Sequence, residues 1–150
     1  MSQNEFLSKD ELQKISEKIG EIEQSTTGEI RVSIHRKPGF FSKGKSTKEL
    51  ALKEFVKLKL AKTRDKTGLL FFILLERKEF FLLADEGLQK KLPEGFWDEE
   101  TGKVSAHFKQ NKFIDGILEV LSDIGLILQE HFPSDKDDNP NEQSNEVVMK

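Results

Sequence analysis

Two groups of residues in this chain have types and spacings that could do chemistry. The first is Gly39-Phe40-Phe41-Ser42-Lys43-Gly44-Lys45-Ser46, which satisfies G-x-x-x-x-G-K-[ST], a loop whose backbone amides cradle phosphates while its lysine reaches them. The second is a scatter of acids, Glu29, Asp65, Asp85 and Glu86. Carboxylate oxygens gathered at one place suit Ca²⁺ or Mg²⁺, which require hard oxygen ligands. An ion held there can polarise a phosphoryl oxygen and activate a water. Which group is a site depends on the elements that carry it.

The elements are set by residues 68–85. Two apolar runs, Leu69–Leu75 and Phe80–Ala84, flank the charged tetrad Glu76-Arg77-Lys78-Glu79. Each run is too short for a helix and rich in Phe and Leu, so both are predicted as strands buried on both faces. A tetrad holds little more than a tight turn, so the strands are antiparallel neighbours. With Glu76 opposite Glu79, Asp85 is expected across from Leu70 and Glu86 across from Leu69.

Upstream, Ser8-Lys9-Asp10-Glu11 is a capping box, and Leu12, Ile15, Ile19 and Ile22 form one helical stripe through about Ser25. After Thr26-Thr27-Gly28, the alternating segment Glu29–His35 predicts a half-buried strand, nearer an edge than the hairpin. Residues 37–47 form a glycine-bearing loop. A helix follows over about 48–62, with Leu50, Ala51, Phe55 and Leu58 inward, and Thr63–Thr67 connects it to the hairpin. Downstream come a helical turn at Glu86–Leu92, a helix over about 94–110 burying Phe96, Trp97, Val104 and Phe108, and another over about 112–132. Residues 134–150 are polar, acidic and short of apolar content, so they are expected to be disordered.

The order is α-β-α-β-β-α-α. The first strand, the helix and the second strand form a βαβ unit, expected parallel and right-handed. Hairpin strands apolar on both faces need helices on both sides, which predicts a three-layer α/β/α sandwich over residues 1–133 with a small mixed sheet.

Strand direction then separates the two chemistries. A phosphate loop works at the C-terminal end of its strand, with its acid at the C-terminal end of a parallel strand. Here the strand ending in Asp85 runs the opposite way, so Lys45 and Asp85 fall at opposite ends of the sheet, about a strand length apart (~17–20 Å). Nucleotide binding at 39–46 becomes the remote alternative. The same direction brings Glu29, Asp65, Asp85 and Glu86 to one end.

With 150 residues the chain is large enough for one core, and its 34% charged content and net charge of −3 give no electrostatic footprint for nucleic acid. It has no cysteine, so thiolate metal sites, disulfides and cysteine nucleophiles are excluded. No apolar run approaches the ~18–20 residues of a membrane span, and the N-terminus lacks the pattern of a signal peptide. A cytoplasmic location is the expectation. The tail spacing from Asp135 to Glu146 mimics a calcium loop, but Pro140 stands where that loop needs glycine. His35, His107 and His131 lie on different elements and suggest no metal or triad constellation. Trp97 beside Phe96 is most simply core.

Several local patterns, in order, resemble the TPM domain family over about Phe6–Pro133. They are Thr27-Gly28-Glu29-Ile30-Arg31-Val32, Gly68 opening the apolar strand, Ala84-Asp85-Glu86-Gly87-Leu88, Phe96-Trp97, and Phe108 followed by Phe113-Ile114-Asp115-Gly116-Ile117. His131-Phe132-Pro133 and Asp138-Asn139-Pro140-Asn141-Glu142 are similar to its short bacterial branch. The resemblance implies an α/β/α fold. It also implies an acid-phosphatase-like activity on a small phosphomonoester, since a plant member is described so with acids near a divalent ion; the matching acids are Asp85 and Asp65. Asp85 is thus the candidate catalytic residue, and Asp65, Asp85, Glu86 and Glu29 the candidate metal ligands for Ca²⁺ or Mg²⁺. Other members imply a second reading, a non-catalytic module with a membrane-associated protein partner. The chain departs from the family pattern at Lys66-Thr67, where an Asn would precede the glycine.

Overall fold

A computed structural model describes residues 7–39, 44–134 and 148–149. The chain divides into two compact units, residues 28–90 with 142–150, and residues 1–27 with 91–141.

The first unit is a mixed sheet with one helix laid on it. Strand β1 (Glu29–His35) pairs in parallel with β2 (Gly68–Leu74), and β2 pairs antiparallel with β3 (Glu79–Ala84), as the lengths of the connections require. Helix α2 (Thr47–Lys57) makes the crossover. It starts one residue earlier than the apolar spacing suggests, because Ser46 and Glu49 close a capping box. It also ends earlier: Lys59 takes a left-handed conformation (φ 61°), and Leu60–Lys62 form a single 3₁₀ turn. Leu50, Ala51, Phe55 and Leu60 pack with Leu70, Phe72 and Leu74 into one apolar cluster. Gly68 is required there, since a Cβ would strike the backbone of Leu60.

The register differs from expectation by two residues. Leu74 pairs with Glu79 and Leu69 with Ala84, so the turn takes all of Leu75–Lys78. It closes through a hydrogen bond from Lys78 N–H to the Leu75 carbonyl (3.0 Å), with Lys78 left-handed. Asp85 therefore lies beside Gly68, not Leu70, and donates its N–H to the Gly68 carbonyl (2.8 Å).

The edges also differ. The sheet order is β3-β2-β1-β4, with β4 (Val148–Met149) parallel to β1 at Ser33 and Ile34. Strand β3 is the edge and is only half-buried, whereas β1 is buried from Glu29 to Ile34. The alternating polar residues of β1 do not face water; their partners are on the protein. Of the tail expected to be disordered, residues 135–147 and 150 lie outside the described residues, Ser134 hydrogen-bonds to Ser25, and two residues form β4.

The second unit is helical. α1 (Lys9–Glu23) begins at the Ser8–Glu11 capping box and buries Ile15, Ile19 and Ile22. α4 (Phe96–Lys109) starts after Gly95, which is left-handed (φ 76°), and α5 (Phe113–His131) carries the longest apolar stripe. Gly125 lets α5 approach α1, since a Cβ there would lie 3.0 Å from Ile22. Thr26 ties the end of α5 down by donating its hydroxyl to the Leu128 carbonyl (3.2 Å). Between the strands and α4, the expected turn after Asp85 is the short helix α3 (Glu86–Gln89), which belongs to the sheet unit.

Candidate functional site

Asp85 follows β3 and caps α3. Its Oδ1 accepts from the Glu86 N–H (2.8 Å), and its carbonyl accepts from the Gln89 N–H (2.9 Å). Its Oδ2 is buried and has no hydrogen-bond partner among the described residues. A buried carboxylate oxygen left so costs about 1–3 kcal/mol or more unless a cation or water satisfies it.

The other three acids lie at the same end of the sheet. Glu29 opens β1 directly opposite Gly68, the residue that accepts the Asp85 N–H. Asp65 precedes β2, and its backbone carbonyl presses on Gly87, where a Cβ would come within 2.7 Å of the Lys66 carbonyl oxygen as well. The Leu88 N–H donates to that Lys66 oxygen (3.1 Å). Glu86 is the first residue of α3 and is exposed. The backbone gathers all four positions; the side chains diverge. Glu29 is buried with Arg31 Nη1 3.9 Å from its Oε2, and Asp65 Oδ2 lies 3.6 Å from Arg64 Nε. Among the described residues, no three His, Cys, Asp or Glu side chains converge closely enough to hold an ion. A hard cation here would meet the Asp85 Oδ2 alone unless the exposed carboxylates of Asp65 and Glu86 turned toward it.

The lysine loop is at the far end. Thr47 Oγ1 donates to Glu79 Oε1, and Arg77 Nη1 donates to Thr47 Oγ1 (3.4 Å). Glu79 opens β3 at the turn, so the start of α2 stands at the hairpin end, seven residues of β2 away from Asp85. Ser46 Oγ accepts from the Glu49 N–H (3.1 Å) as a helix cap. Residues 40–43 of the glycine loop lie outside the described residues.

Two polar networks escaped the sequence reading. In the first, Ser33 Oγ donates to Glu54 Oε2, while His35 Nε2 lies 2.9 Å from that oxygen and 3.1 Å from Ser33 Oγ. A serine nucleophile needs its hydroxyl on one imidazole nitrogen and the acid on the other. Here both meet Nε2, and Ser33 is fully buried, so the network ties α2 to β1. Its signal was the i, i+2 spacing of Ser33 and His35 on one strand face. In the helical unit, Lys103 Nζ lies 2.9 Å from Asp123 Oδ2, 3.3 Å from Glu100 Oε2 and 3.7 Å from Glu99 Oε1. Glu100 is only 2% exposed. Burial, helped by hydrogen bonding to Asp123 and opposed by Lys103, pushes its carboxyl up to about 7.

Against known proteins, the TPM domain family model matches residues 1–126. The chain belongs to the TPM domain family. Among solved structures it is similar to the BA42 protein of the psychrophilic bacterium Bizionia argentinensis, with a TM-score of 0.84, 28% identity and 99% of each chain covered. It is also similar to the N-terminal domain of a protein from P. gingivalis, with a TM-score of 0.64, 19% identity, and 89% and 85% of the two chains covered. No curated protein matches it. This TPM domain has no helix, among the described residues, long and apolar enough to cross a membrane.

Proposed function

We propose that this TPM domain binds Ca²⁺ or Mg²⁺ at the Asp85 end of its sheet and there supports hydrolysis of a phosphomonoester. The observation that carries the reading is the buried Asp85 Oδ2 with no hydrogen-bond partner among the described residues. Asp85 is the fixed ligand, because its backbone and its other oxygen are pinned by Gly68 and Glu86. Asp65 and Glu86 are exposed and would turn toward the ion at the cost of a rotamer. Glu29, buried with Arg31 beside it, would be a ligand only if it left that partner. A bound divalent ion supplies Lewis acidity to a phosphoryl oxygen and lowers the pKa of a water. The chain's own contribution would be to fix one carboxylate, with the exposed Arg64 and Lys66 of the same connector available to an anionic group.

The test is turnover of a generic phosphomonoester with Mg²⁺, with Ca²⁺ and with chelator. The reading expects metal-dependent turnover that Asp85→Asn removes. Turnover unaffected by chelator and by Asp85→Asn would overturn it. Ion binding without turnover would leave the second reading, a non-catalytic interaction module, which the exposed face of α2 favours.

A further inference from the structure

Helix α2 turns an unusual face to solvent. Among the described residues three large apolar side chains are exposed, and two of them, Leu52 (44%) and Val56 (71%), lie one turn apart on this helix. They form a single row with Lys48, and the neighbouring row is Glu49, Lys53 and Lys57; all of these are exposed. Lys59 and Lys62, just past the helix, are exposed too. The segment 45–62 thus carries six lysines against Glu49 and the buried Glu54, in a chain whose net charge is −3. Lys45 comes so close to Lys53 that contact between the two ammonium groups holds the Lys53 amine below its usual value. Like charges crowded together on a surface are relieved by an anion from outside.

The chemistry of the face narrows its partner. Every cation in the segment is lysine, a strongly hydrated point charge, and none is the planar fork of arginine that recognises one carboxylate or phosphate bidentately. Such a face suits a diffuse sheet of negative charge. The Leu52–Val56 pair lies in the middle of the charges, where a surface with an apolar layer beneath its headgroups would receive it. From this juxtaposition we infer that α2 docks the domain on an anionic lipid bilayer, with Leu52 and Val56 entering the headgroup boundary and Lys48, Lys53 and Lys57 on the lipid phosphates. The contact is peripheral. Helix α2 starts at the hairpin end, and the chain beyond it reaches Leu60, which packs on Gly68 beside Asp85; the docking face uses none of the acids of the cation reading.

Co-flotation of the full chain with vesicles tests it. Retention is expected on phosphatidylcholine vesicles containing phosphatidylglycerol, not on phosphatidylcholine alone, and is expected to disappear at several hundred millimolar salt. Reversing three charges together (Lys48→Glu, Lys53→Glu, Lys57→Glu) should weaken retention by roughly a hundredfold. Leu52→Ser with Val56→Ser, which leaves every charge in place, should weaken it several-fold. All five substitutions are on exposed positions, and an unchanged thermal midpoint for each variant shows that folding is intact. No retention on anionic vesicles at low salt would overturn the inference, as would retention indifferent to the charge reversals. Equal binding to single-stranded RNA with no effect of the serine pair would also overturn it, in favour of a phosphate polyanion.

Discussion

Replacing Glu100 with Gln removes one titration and leaves the shape of the side chain. In the folded protein the carboxyl of Glu100 holds its proton to about pH 7, against 4.5 for the ordinary group. Between those values the native state binds more protons than the unfolded chain, so stability falls as pH rises. Moving one carboxyl that far corresponds to roughly 3 kcal/mol, lost progressively between about pH 4.5 and 7 and absent as a gain thereafter. Burial is the leading cause, and Glu100 itself is almost fully enclosed; Lys103 (33%) and Asp123 (28%) beside it are partly exposed, so solvent trims that figure. Glutamine mimics the protonated acid, and Lys103 keeps Asp123 at 2.9 Å. The variant's advantage over the parent should grow by about 2–3 kcal/mol between pH 5 and pH 8. Urea unfolding followed by circular dichroism across that range measures it. A parent and variant that track one another from pH 5 to 8, or an advantage that shrinks toward pH 8, would refute the reasoning that burial and Asp123 outweigh Lys103.

Gly87→Ala should cost about 3 kcal/mol, because its Cβ collides with backbone carbonyls that have no room to retreat; Gly102→Ala, with open space around it inside α4, should instead stabilise by about 0.5–1 kcal/mol. Thermal denaturation of the two variants side by side checks both signs. Phe71→Ala should cost about 3–5 kcal/mol, since the ring is fully buried at the centre of β2. Ser8→Ala should cost about 1 kcal/mol by opening the capping box of α1, with amide exchange accelerating in the first turn.

The fold was legible where the sequence constrains it locally. Two apolar runs separated by a few charged residues can only be an antiparallel pair, and a helix between strands makes a crossover; those facts gave the order of elements and the direction of each strand. The register was two residues out because the turn draws in Leu75 from the apolar run and leaves Glu79 in β3, and the left-handed Lys78 carries no glycine to announce it. The left-handed Lys59 ended α2 early for the same reason. β1 was mistaken for a half-exposed strand because Ser33 has the composition of a solvent-facing residue. Its partner Glu54 is a helix residue distant in sequence, and only packing brings the two together.

The candidate site divides along the same line. Strand direction alone brought Glu29, Asp65, Asp85 and Glu86 to one end, and Gly87 explains how closely the connector approaches α3. Arg31 stands beside Glu29, Arg64 beside Asp65, and the Glu86 N–H holds one oxygen of Asp85. None of these is a matter of spacing.

Titration of ¹⁵N-labelled protein with Ca²⁺ and Mg²⁺ puts the Asp85 reading to its most direct trial. Saturable shifts confined to the amides of Asp65 and Asp85–Gly87, abolished by Asp85→Asn in a protein of unchanged spectrum elsewhere, are the predicted result. Shifts absent at millimolar ion, or surviving that substitution, would contradict it.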